Sequence, residues 1–101
     1  MTKSDLTRDL WLNVERVAKG FGLGIGPGSE SLLRAFITDG VNRIEQEGLL
    51  NNDRRIAEAE IHLIAFVGGM AHEAKKQNLS MLREGTFVAA KSSFCPLWPF
   101  C

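Results

Sequence analysis

Four residues of this chain have side chains that commonly bind transition metals: His62, His72, Cys95 and Cys101. Imidazole nitrogens and thiolates are the usual zinc ligands, and zinc modules place them at short, characteristic spacings. Here nine residues separate the histidines and five separate the cysteines, which matches no common zinc module. A carboxylate-type metal site in a helical bundle needs Glu-x-x-His pairs on two helices, and the sequence has none. We therefore predict no metal site and no cofactor.

Glycine occupies every second position of residues 20–28, a composition that first suggests a phosphate-binding loop. The dinucleotide fingerprint fails because Pro27 stands where its third glycine is needed, and no Gly-Lys-Ser/Thr follows. In an extended segment, the large side chains would point to one side and leave only glycine hydrogens on the other. We predict that this glycine-apolar ribbon binds a partner through Phe21, Leu23 and Ile25. A flexible hinge between two helices is the alternative.

The sequence contains no recognisable arrangement for catalysis. No serine lies in the Gly-x-Ser-x-Gly turn of the hydrolases, and neither cysteine has a histidine nearby in the sequence. Glu58 and Glu60 would lie on opposite sides of a helix and cannot form a carboxylate pair for acid–base work. We therefore predict that the protein is not an enzyme.

The last ten residues, 92–101, form a tail without a charged side chain that holds both cysteines and two of the three prolines. Tryptophan and phenylalanine dominate the energetics of protein interfaces, and proline lowers the entropy that a peptide loses on docking. We predict that the tail binds a partner through Phe94, Leu97, Trp98 and Phe100. Three destinations stay open for it: the helices of its own chain, a protein partner or second copy, and a membrane surface.

Hydrophobic residues recur at helical spacing through most of the chain. We predict helices ending at Gly20, running from Ser29 or Ser31 to Gly48, and over residues 54–77. A weaker fourth helix is predicted over residues 81–91, with a break or a short strand at 85–88. The predicted fold is all-α: a small bundle of three to four helices with a glycine-rich helix 1–helix 2 connection. Residues 1–91 form the helical domain, and the apolar C-terminal tail, 92–101, packs on that domain or on a partner.

The middle of the third helix, residues 61–71, is apolar almost all the way round, which is typical of a helix buried among others. Ala65, Gly68 and Gly69 form a patch of small residues there. Each glycine inside a helix costs about 1 kcal/mol relative to alanine, so the close approach of another helix should offset that cost. We predict a helix-packing seam at this patch, against a helix of the same chain or, as we favour, a second copy.

The length of 101 residues indicates a single domain. Twelve basic and twelve acidic residues balance, which argues against a strongly basic nucleic-acid surface. The start of the chain lacks the apolar core of a signal peptide. The longest apolar run, residues 63–71, is too short for a transmembrane helix, so we expect a cytoplasmic protein with reduced thiols.

These observations predict a small helical protein–protein interaction module, a homodimer that acts as a regulator, inhibitor or adaptor of bacterial or phage type. The alternative is a DNA-binding transcriptional or plasmid/phage regulator. Residues 9–19 followed by 32–37 loosely resemble the two helices of ribbon-helix-helix repressors. The basic strand that precedes those helices is missing here, and the glycine segment lengthens the turn between them.

Overall fold

The computed structural model describes residues 1–94 and 98–99. Within these residues the chain folds as an all-α bundle, as the helical spacing predicted. Four helices and two short strands follow one another in the order α1 Lys3–Gly20, β1 Gly24–Ile25, α2 Pro27–Gln46, α3 Asp53–Lys76, β2 Met81–Leu82 and α4 Glu84–Ser92. None of the described helices combines the length and the apolar composition needed to cross a membrane.

The order helix–strand–helix occurs twice, and the two units meet at their strands. β1 and β2 pair in parallel, with Gly24 opposite Met81 and Ile25 opposite Leu82. In both units the chain leaves the first helix through a residue in the left-handed conformation, Gly22 at φ 70° and Asn78 at φ 59°. Glycine and asparagine are the residues that adopt this conformation at least cost. The bundle is therefore a pair of similarly built units.

The core lies between the helices and is formed by one face of each. Leu6, Leu10 and Val14 of α1 are fully buried, and they pack in the same cluster as Leu63 and Val67 of α3. Burying a leucine or valine side chain contributes about 1.5–3 kcal/mol. Further members of the cluster come from α2, β2 and α4: Leu33, Ile37, Val41 and Ile44 of α2, Leu82 of β2 and Phe87 of α4.

The N-terminus of α1 is held by a reciprocal pair of hydrogen bonds. The Asp5 N–H donates to Thr2 Oγ1 at 3.1 Å, and the Thr2 N–H donates to the Asp5 carboxylate at 3.4 Å. Hydrogen bonds from Thr2 hold the pKa of the Asp5 carboxyl below its ordinary value. This capping box fixes the start of the helix whose face forms one wall of the core.

The fourth helix differs from the prediction. The expected break or strand at residues 85–88 is absent from the structure, because the strand lies earlier, at Met81–Leu82, and α4 begins at Glu84. The Thr86 hydroxyl accepts a hydrogen bond from the Arg83 N–H at 3.0 Å and lies 2.6 Å from the Arg83 carbonyl oxygen. These contacts make Thr86 part of a helix start rather than part of a break.

Candidate interaction surfaces

The glycine-apolar ribbon, residues 21–26, lies against β2 of its own chain. The Gly24 N–H donates to the Ser80 carbonyl at 3.0 Å, and the Gly26 N–H donates to the Leu82 carbonyl at 3.0 Å. A Cβ atom at Gly26 would lie only 2.8 Å from the Leu82 carbonyl oxygen. The side of the ribbon that carries only glycine hydrogens thus packs against the backbone of β2 in the same chain.

The large side chains of the ribbon have different surroundings. Leu23 is buried in the core, Ile25 is half-buried, and Phe21 is 39% exposed. Of the three residues predicted to bind a partner, only Phe21 presents a large apolar surface to solvent. Leu23 is a core residue. Partner binding through the ribbon stays a prediction.

A buried hydroxyl joins the two helix–strand–helix units behind the ribbon. Ser29, which is fully buried, places its Oγ 2.9 Å from the Gly26 carbonyl oxygen and 2.8 Å from the Leu82 carbonyl oxygen. Its single proton is shared between two acceptors, one from each unit. A buried polar group left without a partner costs about 1–3 kcal/mol, so this arrangement favours one register of the strands.

The tail returns to the helices at Trp98. The indole is 4% exposed and stacks on Phe36, with ring centroids 4.4 Å apart and an interplanar angle of 13°. Its Nε1–H donates to the Ala59 carbonyl at 3.3 Å, and Arg43 Nη1 donates to the Trp98 carbonyl at 3.1 Å. Gly40 makes room for the ring, since a Cβ at that position would overlap the indole. Within the described residues, Trp98 therefore packs on the helices of its own chain.

Trp98 belongs to an aromatic cluster between α2, α3 and α4. Phe36 stacks on Trp98 with one face and on Phe66 with the other, at a centroid distance of 4.7 Å. Phe87 meets Phe66 edge-on at 5.3 Å, and the half-buried Phe94 lies 4.8 Å from Phe66. Such pairs add about 0.5–1.5 kcal/mol beyond the area that they bury. The other predicted tail residues, Leu97 and Phe100, lie outside the described residues, as do both cysteines.

One surface of the described chain is apolar and uncovered. We call it the α3 outer face, and it comprises Ala57, Ile61, Ile64, Ala65, Gly68 and Gly69. Ile61 is 64% exposed and Ile64 is 42% exposed. The prediction that residues 61–71 are buried all round is therefore wrong for these two side chains. The reason is geometric, because neighbouring helices cover only the opposite side of α3, through Leu63, Phe66, Val67 and Met70.

The predicted helix-packing seam lies within the α3 outer face. A Cβ built at Gly68 would meet no heavy atom of the described residues within 4 Å, and one at Gly69 would meet only Ala90 Cβ, at 4.0 Å. Ala65 is exposed. No helix of the described chain thus approaches closely enough to require glycine at these positions, and the close approach expected from a helix of the same chain is not observed.

A groove borders this face on the side of α4. Its volume is about 270 Å³, with Ala65, Gly69 and Ala89 along its walls and Phe66 and Phe94 among its lining residues. Val88, on the exposed side of α4, is 64% exposed. Glu73 and Ser93 also line the groove, so polar groups interrupt the apolar surface between α3 and α4.

Charged groups lie beside the α3 outer face. Glu58 pairs with Arg54 at 3.5 Å and with Arg55 at 3.2 Å at the start of the helix. Among the described residues, no group of three or more histidine, cysteine, aspartate or glutamate side chains could hold a metal ion. The chemistry offered by this part of the molecule is that of apolar contact.

Sequence reasoning missed two features of these surfaces. It treated residues 61–71 as one buried stretch, although Ala57, Ile61, Ile64 and Gly68 are spaced as one stripe of a helix. It also missed Gly40 as the position that admits Trp98.

The chain matches no protein-family model, and no curated protein or solved structure is similar enough to match.

Proposed function

We propose that this protein is a small helical protein–protein interaction module that works as a homodimer, with the α3 outer face as its contact surface. The observation that carries the proposal is the exposure of Ile61 and Ile64 beside two helix-interior glycines that no described neighbour requires. An uncovered apolar face of this kind is typical of a surface that associates.

The spacing of the exposed residues favours a helix as the partner element. Ala57, Ile61, Ile64 and Gly68 follow one another at intervals of four, three and four. This alternation is the spacing of residues along the seam between two packed helices. The stripe spans about 17 Å at 1.5 Å per residue, which is enough for three turns of helix–helix contact.

The face is complementary to itself, which favours a second copy as the occupant. When two α3 helices pack antiparallel about a twofold axis between Ile64 and Ala65, Ile61 of each copy lies opposite Gly68 of the other. Ile64 then lies opposite Ala65. Large side chains meet small ones across the axis, as an isologous interface requires. The absent side chains at Gly68 and Gly69 would let the helices approach closely and offset the cost of two glycines.

The size of the face indicates a modest affinity. A helix pair of this length, with the groove beside it, would bury roughly 1,000 Å² in total, at the lower limit for a specific interface. We therefore expect a dimer with a Kd in the micromolar range, about 8 kcal/mol of association free energy.

The proposal is tested by measuring molar mass against concentration for the full chain and two matched variants. Ile61→Lys places a charge in the face, and Leu12→Lys places the same charge on α1, where Leu12 is 40% exposed. Sedimentation equilibrium should show a monomer–dimer equilibrium for the wild type and for Leu12→Lys. Ile61→Lys should stay monomeric, with an unchanged far-UV circular dichroism spectrum.

The same samples distinguish the DNA-binding alternative. An apolar contact should persist when the salt concentration rises, whereas binding to DNA weakens steeply with salt. A monomeric wild type at 500 µM, or a dimer that Ile61→Lys leaves intact, would refute the proposed interface. Tight, salt-sensitive binding of a DNA duplex would support the regulator instead.

A further inference from the structure

The stripe of the α3 outer face continues one turn beyond Gly68, to His72. His72 follows Gly68 by four residues, the same interval that separates Ala57 from Ile61. It is exposed and takes part in none of the ion pairs among the described residues. None of the six residues that define the face titrates, so His72 adds a group whose charge changes near neutral pH.

The twofold axis of the proposed dimer assigns a neighbour to His72. Because the axis lies between Ile64 and Ala65, a residue eight positions after Ile64 faces one eight positions before Ala65. These two residues are His72 and Ala57. The pair repeats the pattern at the centre of the interface, where a large side chain meets a small one. The imidazole would thus be partly withdrawn from water, once at each end of the helix pair.

On its own helix, His72 has mainly positive neighbours. Lys76 follows four residues later on the same side of α3, and Lys75 extends towards Gly22. Glu73 points to the groove beside α4 and accepts a hydrogen bond from Gln77 at 2.8 Å. A proton on the imidazole therefore adds to the positive charge at this end of the face. Repulsion between like charges is small in water and grows where a contact excludes water.

The facing helix brings its N-terminal turn to the same place. Arg54 lies on the stripe, one turn from the contact. Glu58 pairs with Arg54 at 3.5 Å and with Arg55 at 3.2 Å, so its charge is already matched. The twofold axis places Asp53 opposite Lys76. A neutral imidazole fits among these groups, whereas an imidazolium would lose water without gaining a carboxylate of its own.

We propose that the charge of His72 regulates the α3–α3 dimer, which forms when both imidazoles are neutral and dissociates when they are protonated. This inference rests on the proposed dimer and adds a pH response to it. Since association favours the neutral form, dimerisation is complete above the pH range in which histidine titrates and is lost as the pH falls through it. If association weakens proton binding about tenfold at each of the two histidines, the Kd rises about 30-fold from pH 8.0 to pH 5.5.

The first experiment measures this Kd by sedimentation equilibrium at both pH values. The sequence contains only two histidines, and His62 is half-buried and lies outside the stripe, so it serves as the matched control. The wild type and His62→Gln should both show the rise of about 30-fold. His72→Gln, which stays neutral, should change by less than about threefold, and His72→Lys should dimerise weakly at both pH values. Far-UV circular dichroism should show the same helicity for all four chains.

A second measurement follows the imidazole protons by NMR during a pH titration. Because linkage is reciprocal, the midpoint of the His72 titration should fall by about one pH unit between dilute and dimeric wild type. The midpoint of His62, and that of His72 in the monomeric Ile61→Lys chain, should not depend on concentration. A wild-type dimer whose Kd is the same at both pH values, or a pH response that His72→Gln retains, would overturn the inference and leave the dimer standing. A wild type that is monomeric already at pH 8.0 would refute the dimer and its regulation together.

Discussion

Two regions of the described chain carry glycine far from either end of a long helix, and the surroundings of the glycines differ. At Gly40, on α2, the missing side chain is replaced by the indole of Trp98, which lies where a Cβ would stand. At Gly68, on α3, a Cβ would meet no described neighbour, and at Gly69 it would meet only Ala90 Cβ, at 4.0 Å. The cost of about 1 kcal/mol per glycine is the same at each position. In the first region, the packing of Trp98 within the same chain offsets this cost.

The two regions differ in whether residues of the described chain cover them. Trp98 is satisfied by its own chain: the indole stacks on Phe36 and donates to the Ala59 carbonyl, and the residue is 4% exposed. Its main-chain carbonyl accepts a hydrogen bond from Arg43. The α3 outer face also has small residues beside large ones, but its two isoleucines are exposed. The tail, which seemed from the sequence to be the natural contact surface, contributes Trp98 to the first region.

The largest expected effect comes from a side chain at position 40 that fills the space now occupied by the Trp98 ring. Gly40→Val would overlap the indole and expel it, so we expect the free energy of unfolding to fall by about 4 kcal/mol, as for removal of a buried tryptophan. Urea denaturation followed by circular dichroism measures the loss. Since both changes remove one contact, Gly40→Val combined with Trp98→Ala should cost little more than either change alone. A loss below 1 kcal/mol for Gly40→Val would show that the ring does not depend on the glycine.

A matched pair of isoleucines compares the interior with the open face. Ile37 is 1% exposed and Ile61 is 64% exposed. Ile37→Ala should lower the free energy of unfolding by about 3 kcal/mol, because it opens a cavity in the core. Ile61→Ala should change it by less than about 0.5 kcal/mol at protein concentrations where the chain is monomeric. Equal losses for the two variants would mean that the face of α3 is covered within the chain.

The smallest expected effect has opposite signs for stability and association. Gly68→Ala should raise the free energy of unfolding of the monomer by up to about 1 kcal/mol, because alanine is the better helix former and meets no described neighbour. The same change should weaken dimerisation, since the added methyl group holds the two helices apart. Chemical denaturation at low concentration and sedimentation at high concentration measure the two effects. If the variant is more stable and dimerises normally, the glycines are not part of the interface.

Much of the fold was predictable because the helices are long and their apolar stripes are regular. The stripe of α1, with Leu6, Leu10 and Val14, is buried as its spacing indicates. The two strands were not predicted as such, since two residues are too few to show an alternating pattern. The contacts of Trp98 could not be predicted from the sequence either, because its partners Ala59 and Arg43 are 39 and 55 residues away in the chain.

The candidate site was only partly predictable. Ala65, Gly68 and Gly69 were identified as a seam from their size alone, and the structure adds that no described helix occupies it. The exposure of the neighbouring isoleucines was not predicted, because residues 61–71 are apolar on almost every side. A helix segment without a polar face gives no signal of which side packs on its own chain and which side is exposed.

The central claim is that the α3 outer face meets its own copy in an antiparallel pair, and contacts between copies test it most directly. A sample that mixes ¹³C-methyl-labelled and unlabelled chains allows nuclear Overhauser effects between copies to be observed selectively. Contacts from the Ile61 and Ile64 methyl groups to the Gly68 and Ala65 protons of the other copy are the result expected. Absence of such contacts at millimolar concentration, or contacts confined to other helices, would contradict the claim.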